Sequence, residues 1–511
     1  MSTNPVQVVA SIVPRSVEAG RALAHSARMR GADCIEFRLD RWKDPSSVAA
    51  LLRGSAGPTI TACRVPSDGG TYEGDADERR RLLQAAVEAG TTWIDLEHWE
   101  PYCPPRDSGV RVLRSFHRLG AAPRDLVGIV DRMAASEPDM MKVTLRAYDA
   151  ADLESLLEVQ ARRYRMPLVA FLAGEPGLPS RFLAVLSGAP FIYCRAANEV
   201  ATAPGQPDLF EAIERYRVRT LRQRARFWGL AGSPVAHSLG MRLHNHLVRY
   251  IKSAPTYLPF DTKEPERLLK VLEGYGPSFA GLSVTAPLKQ AFAAHCDSLS
   301  NAARRCGAVN TVVFDGSKLR GENSDVVGIR GALREALPSA TTLYGKRALV
   351  VGGGGSARAA VVALQDLDAE VALAVRTRQG IRTFAEAQSV PLFPIDGKAF
   401  EAFAPDVIVH ATPVGQGDPR GVDGACIIEE RWLRPGMIVL DLVYTPVLTP
   451  LIARAMRVGA HAVTGLAMFL HQAREQIRLV LDQRPPSIAE LRRLLGPLGH
   501  QALVYRGRDD D

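Results

Sequence analysis

Residues 348–364 read ALVVGGGGSARAAVVAL: an apolar run, four consecutive glycines, then small apolar residues of helical character. That is a strand, a tight turn and a helix, the opening unit of a dinucleotide-binding fold. Gly352, Gly354 and Ala357 take the three positions of GxGxxG/A, where missing side chains let the chain turn and let a pyrophosphate approach the helix N-terminus. Gly353, Gly355, Ser356 and Arg358 fill the rest of that expected cofactor contact. The next apolar run, VALAVRT (residues 371–377), selects the dinucleotide. An NAD site wants an acidic residue there for the ribose hydroxyls. The chain offers Arg376, Thr377 and Arg378 instead, and their cations suit a 2′-phosphate, so NADP(H) is the expected cofactor. Two further strands, DVIVHAT (406–412) and MIVLDLVY (437–444), complete a Rossmann-type domain over 340–464.

Working outward, residues 226–335 read as a smaller α/β unit, completed by C-terminal helices over 465–500 that begin with GLAMFLHQAREQIRLVL. Its turn-like stretches GSPVAHS (232–238), LSVTAPLK (282–289), GAVNT (307–311) and GENSD (321–325) are rich in hydroxyl and amide side chains. Such groups suit a polyhydroxylated ligand. Lys289 and Asp325 add a proton donor and its partner, as reduction of a ketone by a nicotinamide demands. Alone, the same two residues read as a surface ion pair.

The first 222 residues carry eight apolar runs: VQVVASI (6–12), CIEFRLD (34–40), TITACRV (59–65), WIDLEHW (93–99), RVLRSFH (111–117), MMKVTLRA (140–147), PLVAFLA (167–173) and PFIYCRA (190–196). Helical patterns such as DERRRLLQAAVEAG and ADLESLLEVQARRY separate most of them. The fold class is therefore α/β: an N-terminal (β/α)8 barrel, an α/β substrate domain and a Rossmann-type NADP-binding domain. The connection EPYCPPRDSG (100–109) is too short and Pro-rich for a helix, so the fourth barrel helix is expected to be missing or reduced to a turn.

Barrel enzymes place their chemistry at strand C-termini. Glu36 and Arg38 share one face of a strand, and Arg64, His117, Lys142 and Arg181 lie at or just after the ends of others. Any one of these reads equally as a structural ion pair; as a set they read as a site. Lys142 lies within the otherwise apolar MMKVTL. Desolvation there lowers an amine's pKa and yields the neutral form that attacks a ketone, although a lone lysine also snorkels. His117 supplies a general base near neutral pH.

The 511 residues hold 63 Lys and Arg against 55 Asp and Glu, a net charge of +8 spread along the chain. No dense basic block marks a nucleic-acid site, and anionic substrates with a phosphorylated cofactor use part of that charge. Seven scattered cysteines form no CxxC pair and no metal-ligand spacing, which predicts reduced thiols, no metal and a cytoplasmic location. No apolar run approaches the ~18 residues of a membrane span, and the N-terminus has no basic leader ahead of its apolar stretch. Residues 501–511 are expected to be a disordered tail.

At these residues the first half resembles type I 3-dehydroquinate dehydratase over 5–215, through EFRLD, Arg64 with Gly69-Gly70, SFH, the lysine strand, GEPGLPSR and TAPGQ. The resemblance implies that Lys142 forms an imine with the substrate ketone and that His117 moves the proton. It further implies that Glu36, Arg38 and Arg64 orient the substrate, Arg181 holds its carboxylate, and Thr202 and Gln206 close the last loop. Asp68 stands where the family has a glutamate that orients the histidine, Thr202 where it has serine, and Ala173 at an often-methionine position. The second half resembles shikimate dehydrogenase over roughly 226–500, with HATPVG, DLVYTPVLTPL and GLAMFLHQA as further matches. Carried across, Lys289 and Asp325 are the catalytic pair. Ser238, Gly240, Thr285, Asn310, Tyr444 and Gln472 surround the substrate, and Thr412 lies along the NADP. The family's HSxSP appears as HSLGM, so Gly240 replaces a serine; NVT appears as Ser283-Val284-Thr285, NTDG as NSDV, and the Asn of NRT as Val375. A hydroxyl lost at Gly240 leaves room for the extra hydroxyl of quinate, the alternative second substrate. A non-catalytic metabolite sensor is a further alternative, but it has no need of Lys142, His117, Lys289 and Asp325 together.

Overall fold

The computed structural model describes residues 6–196, 202–235, 238–248, 255–337, 343–500 and 504–505. Eight strands run in parallel at the start of the chain: β1 (Gln7–Ile12), β2 (Cys34–Arg38), β3 (Thr59–Ala62), β4 (Trp93–Glu97), β5 (Arg111–Arg118), β6 (Met140–Arg146), β7 (Leu168–Ala173) and β8 (Phe191–Arg195). Their order, β7-β6-β5-β4-β3-β2-β1-β8, is that of a barrel opened at one seam. Among the described residues β7 and β8 form no ladder, and Phe171 and Tyr193 face each other there with ring centroids 6.1 Å apart. Helices α1 (Val17–Met29), α2 (Val48–Arg53), α3 (Ala76–Glu88), α4 (Leu126–Ala135), α5 (Glu154–Ala161) and α6 (Leu178–Leu186) alternate with the strands. Between β4 and β5 there is only a 3-10 turn, Arg106–Ser108, as the short Pro-rich connection predicts.

Alternate strand residues point inward, so the barrel is built in layers. Val9, Cys34, Ile60, Trp93, Leu113, Met140, Val169 and Phe191, one from each strand, pack together as an apolar floor. Two residues further along, the same positions read Ser11, Glu36, Ala62, Asp95, Ser115, Lys142, Phe171 and Tyr193, and polar groups enter.

Where the helix is lacking, charged side chains close the strand ends. The buried Arg79 of α3 bonds the carboxylates of Glu97 and Glu100 and the Cys63 carbonyl, the last at 2.7 Å. Arg114 donates to the carbonyls of Glu97 and Glu100 at 3.2 and 2.8 Å.

A six-stranded sheet follows in the order β10-β9-β11-β13-β14-β12. Its strands are β9 (Phe227–Gly232), β10 (Thr256–Asp261), β11 (Phe279–Val284), β12 (Ser298–Leu299), β13 (Thr311–Phe314) and β14 (Leu319–Glu322). The third sheet, β17-β16-β15-β18-β19-β20-β21, is parallel except at its last strand. It comprises β15 (Arg347–Val351), β16 (Glu370–Val375), β17 (Leu392–Pro394), β18 (Val407–His410), β19 (Ile438–Asp441), β20 (His461–Val463) and β21 (Val504–Tyr505). Apolar clusters cover both of its faces, as a parallel sheet requires. The expectation of disorder from 501 onward fails at Val504–Tyr505, which pair with Val463 and Ala462 while Tyr505 packs on the apolar cluster. The rest of that stretch lies outside the described residues. No described helix is long and apolar enough to cross a membrane.

Two compact units divide the chain, Met1–Gly229 with Pro234–Ser278, and Leu230–Ser233 with Phe279–Asp511. Within the first, Asp149 after β6 accepts from the Thr262 hydroxyl at 2.6 Å and the Lys263 amide at 2.8 Å, and Arg267 bridges Asp152 and Glu154.

Arg79→Met leaves Glu100 buried without its cation and Glu97 with only Arg64, 3.8 Å away. Urea denaturation followed by circular dichroism is expected to show a loss of about 3–5 kcal/mol; a loss below about 1 kcal/mol contradicts the closing role given to this cluster.

Candidate active sites

In the second layer of the barrel, Lys142 is 3% exposed and hydrogen-bonds Asp95, with Glu36 Oε1 3.6 Å from its Nζ. Asp95 is shared: Arg64 Nη2 lies 2.5 Å from its Oδ2, and the Ser115 hydroxyl donates to its Oδ1 at 2.6 Å. Ser11 donates to Glu36 Oε2 at 2.5 Å. Gln206 donates to Ser11 at 3.1 Å and accepts from the Thr202 amide and hydroxyl at 3.0 and 2.9 Å. One layer higher, Arg64 Nη1 donates to His117 Nδ1 at 2.8 Å, and Arg38 donates two hydrogen bonds to Asp40, from Nε at 3.0 Å and from Nη2 at 2.6 Å. Glu36, Arg38, Arg64, His117, Lys142, Arg181, Thr202 and Gln206, all singled out from sequence, line one cleft.

Electrostatics prepare this cleft for amine chemistry. Burial pulls the Lys142 amine below its ordinary value of 10.5, and Asp95 opposes that fall only in part. Burial, then the cations of Arg64 and Lys142, hold His117 well below 6.5, so its ring is neutral. Burial would raise Asp95, but Arg64 and Lys142 keep it ionised with a pKa of about 2. Arg181 is pulled down to about 10 by burial; its guanidinium lies 4.2 Å from the Phe171 ring centroid, and its Nε and Nη2 have no partner among the described residues. A cation held ready for an absent anion has this form.

The sequence reading missed Ser11, Thr144 and Tyr193, which line the cleft, and Asp95 and Ser115, which bond its charged groups. The signal for Asp95 was present, because Asp95 and Glu97 stand at period two in the apolar WIDLEHW as Glu36 and Arg38 do in CIEFRLD. One expectation changes. Asp68, expected to orient His117, accepts instead from Trp99 Nε1 and the Ser67 hydroxyl, each at 3.0 Å, and Arg64 takes the imidazole. Aspartate is one methylene shorter than glutamate, and the helix-free β4–β5 connection brings Trp99 to it.

In the second unit, Lys289 Nζ bonds Asp325 Oδ2 at 2.6 Å and the Ser356 hydroxyl at 3.0 Å, which joins the expected catalytic pair to the Gly-rich turn. Asn310 donates to Asp325 Oδ1 at 2.6 Å, while its own Oδ1 accepts from the Ser324 amide at 2.7 Å and the Thr311 hydroxyl at 2.9 Å. The Thr285 amide donates to Ala231 at 2.9 Å, and Tyr444 stacks on Phe469 with centroids 5.2 Å apart. Gln472 stands on helix Gly465–Leu481, and one turn later the unpredicted Gln476 bonds Ser283 and Thr311, docking that helix on the sheet. In the first unit, Ser238 caps helix Leu239–Leu247 by accepting from the Gly240 amide at 3.1 Å; a Cβ on Gly240 would stand 3.1 Å from Ser238 Oγ and 3.7 Å from the Tyr257 hydroxyl.

The Gly-rich turn suits a dinucleotide. Gly352 has φ +134°, and a Cβ there would stand 2.7 Å from the Ala411 carbonyl, so only glycine fits. Gly354 caps helix Gly355–Gln365 in open space, leaving its N-terminus free for a phosphate. At Gly355 a Cβ would press on the Lys289 stem at 3.1 Å. Arg376, Thr377 and Arg378 are exposed at the end of β16, as a 2′-phosphate site requires. Arg358 is committed elsewhere: it donates to the Gly380 carbonyl at 2.7 Å and lies over Phe384. Thr412 bonds His410, whose other ring nitrogen meets Asp441 at 2.9 Å.

Two family models match the chain. The type I 3-dehydroquinase family matches residues 8–223, and the shikimate dehydrogenase substrate-binding domain matches 230–312. The bifunctional 3-dehydroquinate dehydratase/shikimate dehydrogenase of Arabidopsis thaliana, a chloroplastic protein, is 30% identical over 93% of this chain and 82% of its own length. The chain belongs to this bifunctional family. The NADP(+) shikimate dehydrogenase of Gluconobacter oxydans is 34% identical over 49% of this chain and 88% of its own. A solved Thermus thermophilus shikimate 5-dehydrogenase, in complex with NADP(H) and shikimate, is 31% identical, with a TM-score of 0.47 over 54% of this chain and all of its own.

Gly352→Ala is expected to cost about 1–3 kcal/mol of stability through backbone strain. Gly353→Ala, with ordinary φ and nothing nearer than 3.6 Å, is expected to stay within about 0.5 kcal/mol of wild type. Thermal unfolding of the two variants checks the difference, and equal midpoints contradict the role given to Gly352.

Proposed function

We infer that this bifunctional enzyme takes one carbocyclic acid through two consecutive reactions. Residues 1–222 dehydrate 3-dehydroquinate to 3-dehydroshikimate; residues 226–335 with 465–500, and the NADP domain over 340–464, reduce 3-dehydroshikimate to shikimate. The buried amine of Lys142, with its pKa lowered beside a neutral His117, carries the first assignment.

In the barrel, the neutral Lys142 amine adds to the ketone and water leaves, giving an imine that acidifies the adjacent carbon. His117 takes that proton, and then protonates the departing hydroxyl. Hydrolysis returns the amine, so the net change is loss of one water. Arg181 receives the substrate carboxylate through its two unpartnered nitrogens. Glu36, Arg38, Arg64, Thr202 and Gln206 orient the ring hydroxyls.

In the second half, Lys289 delivers a proton to the ketone oxygen and Asp325, fixed by Asn310, holds it in place. NADP(H) is the cofactor and, when bound, supplies the hydride. Gly352 to Ala357, Arg376, Thr377, Arg378 and Thr412 hold it; Arg358 supports that site through the Gly380 loop. Thr285, Asn310, Tyr444 and Gln472 hold the substrate. The named relatives are shikimate dehydrogenases, which favours shikimate over quinate. The seven free cysteines favour a reducing compartment, the cytoplasm.

A lowered amine pKa leaves more neutral amine at any given pH. Borohydride trapping of 3-dehydroquinate on Lys142 is therefore expected to rise with pH around a midpoint below 10.5 and to vanish in Lys142→Met. His117→Ala still forms the adduct but loses ~10²–10⁴ in kcat. With 3-dehydroquinate and NADPH supplied together, wild type is expected to make shikimate and Lys289→Ala to stop at 3-dehydroshikimate. Absence of any Lys142 adduct in folded wild type overturns the imine route.

A further inference from the structure

Three buried side chains of the barrel cleft have polar atoms without partners among the described residues: Arg181, Thr144 and Tyr193. Arg181 is absorbed by the substrate carboxylate. Tyr193 is the one whose ring touches the reacting amine. Lys142 Nζ sits 4.5 Å from the ring centroid, and Tyr193 itself is 4% exposed. A buried hydroxyl without a partner costs free energy in the resting protein, so a ligand atom that completes it is favoured.

We propose that the Tyr193 hydroxyl is a donor to the carbonyl oxygen of the substrate during attack by Lys142. The placement follows from bonding. The carbon that accepts Nζ carries one oxygen, and Tyr193, whose ring centroid lies 4.5 Å from Nζ and whose hydroxyl has no partner among the described residues, lines the same cleft. As the C–N bond forms, the carbonyl π pair moves to oxygen; the two protons of the neutral amine pass in turn to that oxygen, the nitrogen lone pair closes the C=N bond, the C–O bond breaks, and the oxygen leaves as water. Tyr193 stabilises the charge on this oxygen by a hydrogen bond and keeps its own proton throughout. Burial, reinforced by Glu36 and Asp95, pushes the phenol well above 10, so it remains a donor across the working range. His117 is thereby left for the proton at the adjacent carbon.

This role rests on the Lys142 imine, and the experiment separates the two. Adduct formation with 3-dehydroquinate is followed by borohydride quench and mass spectrometry in wild type, Lys142→Met and Tyr193→Phe, with the Tm measured for each. Phenylalanine keeps the ring and removes only a hydroxyl with no protein partner, so the Tm is expected to be unchanged or higher. The adduct rate in Tyr193→Phe is expected to fall at least tenfold, while proton exchange at the adjacent carbon of preformed adduct proceeds as in wild type. Equal adduct rates in Tyr193→Phe and wild type overturn the proposal and leave the imine route standing. A lowered Tm with a proportionate loss of every step overturns it too, as a structural role. No adduct in wild type removes the imine route itself, and the proposal with it.

Discussion

Everything in the barrel site follows from placing an amine inside a desolvated layer without losing its reactivity. Lys142 is surrounded by Asp95, Glu36 and Arg64, so two carboxylates and a second cation share the interior with it. One carboxylate alone would raise the amine's pKa and hold it as an unreactive ammonium. Sharing Asp95 with Arg64, and with the Ser115 hydroxyl, divides that carboxylate's attraction among three donors. Burial then prevails, and the amine's pKa falls below its ordinary value. Such a cluster is a poor source of stability, because desolvation offsets most of the Coulombic gain. The apolar floor two residues below supplies the stability instead.

That arrangement explains why much of the site was legible. Period two in a strand fixes which residues share the barrel interior, so Glu36, Arg38, His117 and Lys142 were readable from spacing and chemistry. Asp95 obeyed the same rule and was passed over, because WIDLEHW was read only as an apolar strand. The eight strands and the missing fourth helix were legible for a similar local reason: Pro-rich EPYCPPRDSG offers neither the length nor the amides of a helix.

What resisted reading is pairing across distance. Nothing in the spacing of Asp68 indicates that Trp99, 31 residues away, will take its carboxylate. Nor does a Gly-rich motif reveal that Arg358 bonds the Gly380 carbonyl. Val504–Tyr505 looked like part of a polar tail because two residues carry no periodicity, yet an open sheet edge and an apolar cluster suffice to order them.

The run of glycines shows how one motif meets several unrelated demands. Gly352 is required by its own backbone, whose φ of +134° excludes a side chain, and Gly354 leaves the helix end open. Gly355 meets a third demand, since the Lys289 stem lies where its Cβ would be. With the Ser356 hydroxyl on Lys289 Nζ at 3.0 Å, the Gly-rich turn and Lys289 become one packed unit. A shift of the turn must therefore move Lys289. In the barrel, Lys142 is tuned by the charges around it; in the second unit, Lys289 is tuned by position, held between Asp325 and the turn it serves. The same residue type thus occupies two contrasting settings: one lysine is desolvated among shared charges, and the other is pinned by a carboxylate and a hydroxyl.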